Sequence, residues 1–152
     1  LRLWISGAAI IVYGAIVATI LFWPTPVDRG YDGLIKAALS ALHERGLPSW
    51  YGYPQLEFSA NIAMFIPLGF FISFALARRF WWVAIVASAG FSAVAELLQG
   101  ALLPQRFSSL GDVIANTTGA IIGAALALLI RLLVRARDRR RDRDRDLGLD
   151  VD

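Results

Sequence analysis

The chain contains no cysteine, and that absence removes disulfides, thiolate metal sites and cysteine nucleophiles together while leaving the compartment open. A single histidine, His43, lacks a second imidazole or thiolate with which to build a zinc site. Charge is scarce over most of the length, because eight of the fifteen basic residues lie between Arg131 and Arg145. Placement therefore says more than the net charge of +3. Polar and apolar residues nowhere alternate over about ten positions, so a membrane barrel is excluded.

What the sequence has instead is long apolar runs. Apolar residues make up 57% of the 152, and four windows, 3–23, 59–77, 80–103 and 110–134, reach the length of about 20 residues that crosses the hydrocarbon of a bilayer. Lipid offers a backbone no hydrogen bonds, so each window is expected to be a helix. The first reads as an anchor and not as a signal peptide, being long and closed by no small-residue cleavage site. The expected fold is all-α: a polytopic membrane protein with four transmembrane helices, a loop at 24–58 and a charged tail at 135–152.

The arginines suggest an orientation. Arg2 precedes the first window, Arg78 and Arg79 separate the second and third, and the basic cluster follows the fourth. The positive-inside bias then places both termini in the cytoplasm and the segments 24–58 and around Arg106 outside.

Five side chains that a bilayer rejects fall on these windows: Asn61, Glu96, Gln99, Asp112 and Asn116. Polar residues in such segments cost about 2.5–3.5 kcal/mol when charged and usually face a bundle interior. Asn61 lies in the first turn of the second window, Glu96 and Gln99 in the last turns of the third, and Asp112 and Asn116 at the start of the fourth. All five meet at one end, the outer one, with Arg106 in the connection between them. Glu96 and Gln99 are three apart and Asp112 and Asn116 four apart, so each pair shares a helix face. Helix capping and interhelical hydrogen bonding would account for any one of them. The whole constellation reads as a ligand-binding site of Asn61, Glu96, Gln99, Arg106, Asp112 and Asn116. Glu96 and Asp112 are its candidate acid and base, and its oxygens also suit a divalent cation such as Mg²⁺, Mn²⁺ or Ca²⁺.

The stretches Asn61-Ile-Ala-Met-Phe-Ile-Pro67-Leu68-Gly69, Glu96-Leu-Leu-Gln99, and Arg106 followed by Asp112-Val-Ile-Ala-Asn116-Thr-Thr-Gly119 and Gly123 resemble, in order and spacing, the motifs of the VanZ-like membrane proteins. The resemblance runs from about Ser59 to Leu129. It departs at Ser109, where many members carry an acidic residue three positions after the arginine. It implies a multi-pass protein of the bacterial cell membrane, part of the cell envelope, and an association with low-level resistance to teicoplanin-type glycopeptide antibiotics. It brings a location and a phenotype without a reaction.

Other features have physical readings of their own. Pro67 removes a backbone donor and should kink its helix, and Gly69 beside it admits a close neighbour. Gly119 and Gly123, continued by Ala115 and Ala127, form a small-residue face for helix packing. Tyr31, Leu34, Ile35, Ala38, Leu39 and Leu42 recur at helical spacing, giving an outer amphipathic helix that lies in the interface or covers the bundle mouth. Trp50, Tyr51 and Tyr53 read as an interfacial belt or as stacking partners for a sugar ring. The arginine and aspartate run Asp138 to Asp146 is a solvated helical extension or a disordered tail.

Three functions fit. The first is a binding protein that engages a lipid-linked or glycosylated envelope molecule at the outward polar site. The second is a membrane-embedded enzyme using Glu96 and Asp112. The third is a small transporter or flippase, for which four spans suggest a homo-oligomer. A membrane lipid or lipid-linked molecule is the expected partner, and nucleic acid is not.

Overall fold

The computed structural model describes residues 2–23, 30–102 and 109–146, with side chains from Ser6 onward. Among the described residues the chain is helical and has no strand. It comprises α1 (Arg2–Leu21), α2 (Asp32–Glu44), α3 (Tyr53–Ala75), a 3₁₀ turn (Arg78–Phe80), α4 (Trp81–Leu102) and α5 (Leu110–Asp146). The segments Tyr53–Ala75, Arg78–Leu102 and Leu110–Asp146 are long and apolar enough to cross a membrane, and α1 is apolar over the shorter stretch Ser6–Leu21. Leu97, Ile11, Val86 and Leu133 stand exposed on the outside. Apolar exposure on this scale belongs to a surface meant for lipid.

One helix start differs from the sequence expectation, and one helix end decides between two that were open. α3 begins at Tyr53, six positions before the apolar window, because Pro54 occupies the first turn, where its missing N–H costs nothing. There the side chain of Gln55 accepts the Gly52 N–H at 2.9 Å. Asn61 consequently lies more than two turns inside the helix and not in its first turn. At the other extreme, α5 runs without a break past Val134 to Asp146, so the run of arginine and aspartate is helical. Extending an existing helix fixes one residue per hydrogen bond and avoids the cost of a new nucleus.

α2 ends in a Schellman motif: Gly46, at φ +104°, donates to His43 O at 3.0 Å, and Leu47 donates to Leu42 O at 3.0 Å. His43 also meets the Tyr51 carbonyl at 3.0 Å, which ties the end of α2 to the entry of α3. Of the amphipathic face only Leu39 is buried, whereas Leu34 is 69% exposed. The helix therefore leaves its apolar side open, as an interfacial helix does, and does not cover the bundle.

The centre of the bundle is the contact between α3 and α5. Ala115, Gly119, Gly123 and Ala127 form one buried stripe of α5, and Asn116, Ala120 and Ala124 form the next. A Cβ at Gly119 would collide with the carbonyl oxygen of Ile62, and one at Gly123 with that of Ile66. A Cβ at Gly69 would lie 2.5 Å from the carbonyl oxygen of Ala120. Backbone thus meets backbone, the arrangement that small residues permit in a membrane, where packing and not water drives helices together. On the other side of α3, Val17 and Leu21 of α1 pack with Phe65 and Leu68 of α3 and Ala95 of α4. Tyr13 donates its hydroxyl to the Met64 carbonyl at 2.9 Å.

Candidate functional site

Helix direction brings the polar residues to one end of the bundle. α3 and α5 run parallel, with Ile66 against Gly123 and Phe74 against Arg131, while α4 runs the opposite way and packs against both. Asn61, Glu96 and Asp112 converge where α4 ends and α5 begins. Asn61 donates its Nδ2 to Asp112 Oδ1 at 2.9 Å, joining α3 to α5. Glu96, only 5% exposed, accepts the Ser109 N–H on Oε2 at 2.7 Å. The Ser109 carbonyl in turn accepts the Asp112 N–H at 3.1 Å, so Ser109 links the Glu96 carboxylate to the backbone of Asp112.

Local chemistry explains this geometry. Ser109 stands immediately before α5, and its hydroxyl accepts the Gly111 N–H at 3.1 Å, an N-cap arrangement. The first turn of a helix carries unpaired N–H groups and about half a positive charge. Glu96 and Asp112 both lie against that charge, each stabilised there by about 0.3–1 kcal/mol. The Asp112 pair with Asn61 is half-buried. Neither the second oxygen of Asp112 nor the carbonyl oxygen of Asn61 bonds to another described residue.

Gln99 and Asn116 turn elsewhere. Gln99, 3% exposed, donates Nε2 to the Leu21 carbonyl at 2.5 Å and so closes the end of α1. Asn116, 1% exposed, donates to Ser92 Oγ at 2.8 Å, binding α4 to α5. Its Oδ1 has no partner among the described residues, and the same holds for the buried hydroxyls of Ser73 and Ser88. Arg106 lies outside the described residues. Of the sequence-derived set, then, Asn61, Glu96 and Asp112 form one group, while Gln99 and Asn116 hold helices together.

Among the described residues no three His, Cys, Asp or Glu side chains converge as a metal site of those ligands requires. Three participants were not singled out from the sequence as part of the polar network: Ser92, Ser109 and Arg131. Ser109-Leu-Gly-Asp112 carries the Ser-x-x-acid signature of a helix start, which would have exposed the cap. Arg131 donates to the carbonyls of Phe74, at 2.5 Å, and Leu76, at 2.8 Å; no local pattern announces that bond.

The sequence matches the VanZ/LLP1 family over residues 10–131, a wider stretch than the motifs alone covered. No curated protein and no solved structure matches the chain. Because the match takes in the second half of α1, the whole polar group and most of the apolar part of α5, this helical membrane protein belongs to the VanZ/LLP1 family.

Proposed function

We propose that the Asn61–Asp112 pair, backed by Glu96, is where this VanZ-family protein engages a lipid-linked or glycosylated molecule of the bacterial cell envelope, on the outer face of the membrane. The observation that carries the reading is the pair itself: a half-buried carboxylate and amide, fixed by one hydrogen bond, each with an oxygen that no other described residue takes up. Acceptors of this kind suit the hydroxyl and ammonium donors of sugars and headgroups. Trp50, 69% exposed and edge-on to Tyr51 at 6.0 Å, precedes α3 on the same side and offers an aromatic face for a sugar ring.

The orientation rests on Arg78, Arg79 and the basic part of α5, all at the end of the bundle opposite the polar pair. Under the positive-inside bias that end is cytoplasmic, which leaves both termini inside and the pair outside. Binding there would alter how glycopeptides of the teicoplanin type reach their target. The test is glycopeptide susceptibility of cells carrying Asn61→Ala or Asp112→Ala at matched membrane abundance. Both should lose the protection that the unaltered chain confers. Full protection by either variant overturns the assignment, as does disappearance of both from the membrane.

A further inference from the structure

At the arginine end, an open cavity of about 650 Å³ lies between the close of α3 and the lower part of α5, walled by Phe74, Leu76, Ile130 and Val134, with Arg78, Arg135 and Asp138 at its rim. A second groove of about 510 Å³ adjoins it, walled by Trp81, Leu128 and Leu132, with Arg79 beside them. Arg78 and Arg135 line both. Two largely apolar grooves therefore share the guanidinium groups of Arg78 and Arg135, and Arg79 adds a third to the second groove.

We propose that this is a binding site for one anionic diacyl phospholipid, its phosphate held between Arg78 and Arg135 and one acyl chain lying in each groove. Depth supports it. From Leu110 to Val134 α5 rises roughly 36 Å, just beyond the ~30 Å of hydrocarbon, so Arg135 stands at the level of the phosphates on that side. Trp81 and Trp82 are exposed at the same level, where aromatic side chains anchor membrane proteins.

Charge complementarity supports it as well. Neither Arg78 nor Arg135 forms an ion pair with a described residue, whereas Arg131 is engaged by the carbonyls of Phe74 and Leu76. Arg131 thereby satisfies the end of α3, and the surface left over is apolar wall with the guanidiniums of Arg78 and Arg135, the Asp138 carboxylate, and Arg79, which stacks on the Phe80 ring. Planar guanidinium donors match phosphate oxygens in pairs. Asp138 at the rim is placed to accept hydroxyl hydrogens, which favours a headgroup such as glycerol over a bare phosphomonoester.

Native mass spectrometry of the full chain in mild detergent tests the proposal, with phosphatidylglycerol and phosphatidylcholine added in turn. The unaltered protein should retain one phosphatidylglycerol per chain and release phosphatidylcholine. Arg78→Gln with Arg135→Gln should weaken retention roughly thirtyfold, at about a fivefold loss for each arginine. Arg141→Gln with Arg143→Gln removes the same charge from the extension and should leave retention unchanged. Val134→Trp keeps both arginines but fills one groove, and it too should weaken retention. Equal losses in the two double variants would reduce the effect to general attraction between a basic surface and an acidic lipid, and would overturn the site. Equal retention of phosphatidylcholine, or displacement of the lipid by inorganic phosphate alone, would overturn it also. Each variant's thermal transition in lipid-free detergent establishes that a lost lipid is not a lost fold.

Discussion

Replacing Gly123 with alanine adds one methyl group at the tightest point of the bundle, and the outcome follows from what that methyl meets. The new Cβ would run into the carbonyl oxygen of Ile66 and the backbone nitrogen of Phe70. Neither can rotate away as the tip of a side chain could, so α3 and α5 must separate. At the neighbouring contact the shortfall is visible directly: a Cβ at Gly69 would sit 2.5 Å from Ala120 O, where ordinary contact begins at 3.4 Å. A gap of roughly 1 Å forfeits a quarter to a half of each dispersion contact along the interface, and overpacking of this kind costs about 1–3 kcal/mol. Alanine otherwise favours a helix by about 1 kcal/mol over glycine. Gly90 in α4 supplies the control, since a Cβ there meets nothing within 4 Å. Gly123→Ala should therefore unfold earlier in mild detergent than Gly90→Ala, which should be unchanged or slightly more stable; the propensity gain is common to both, so the two differ by the overpacking cost of about 1–3 kcal/mol. Separation also reaches the polar pair, because the Asn61–Asp112 bond spans the same two helices: a contact of 2.9 Å lengthened by ~1 Å is no longer a hydrogen bond. Equal stability of Gly123→Ala and Gly90→Ala would refute the direct backbone contact and everything argued from it.

Arg131→Met removes both donors to the carbonyls of Phe74 and Leu76 and should lower stability by about 2 kcal/mol, read from the detergent unfolding midpoint. Arg131→Lys should restore part of that loss, since an ammonium lacks the fork that spans two acceptors. For orientation, Ser40→Cys should react with a membrane-impermeant reagent on intact cells and Asp142→Cys should not; the reverse pattern would move the polar pair to the cytoplasmic face.

Hydropathy located the helices because the bilayer demands unbroken apolar length, and it failed where a helix leaves the bilayer. Gln55 and Glu57 hide the start of α3 from any apolar window, and the charges after Val134 left a helical extension of α5 and a disordered tail both open. The end shared by Asn61, Glu96 and Asp112 was legible, since it follows from counting residues along antiparallel helices. Which partner each side chain chooses was not, for that depends on the rotation of every helix about its own axis. Here the rotation is set by small residues: Gly69 was readable as a place of close approach and Gly119 with Gly123 as a packing face, but nothing local says that the two faces belong to each other. Ser109 shows a different limit. Against the family pattern it looked like a missing carboxylate, whereas in the structure it caps α5 and links Glu96 to Asp112.

The α3–α5 pair is held at three levels by three kinds of force, and together they determine how the polar pair behaves. In the middle, backbone contact at Gly69, Gly119 and Gly123 fixes the distance between the helices but resists sliding only weakly, because smooth surfaces have few steps. At one end Arg131 grips two carbonyls of α3, and at the other Asn61 grips Asp112. Bonds at both ends of one parallel pair forbid sliding and rotation together, since either motion would break at least one of them. The Asn61–Asp112 pair is thus held in one arrangement by the helices themselves, so a ligand at the proposed site would leave little conformational entropy to be lost on binding.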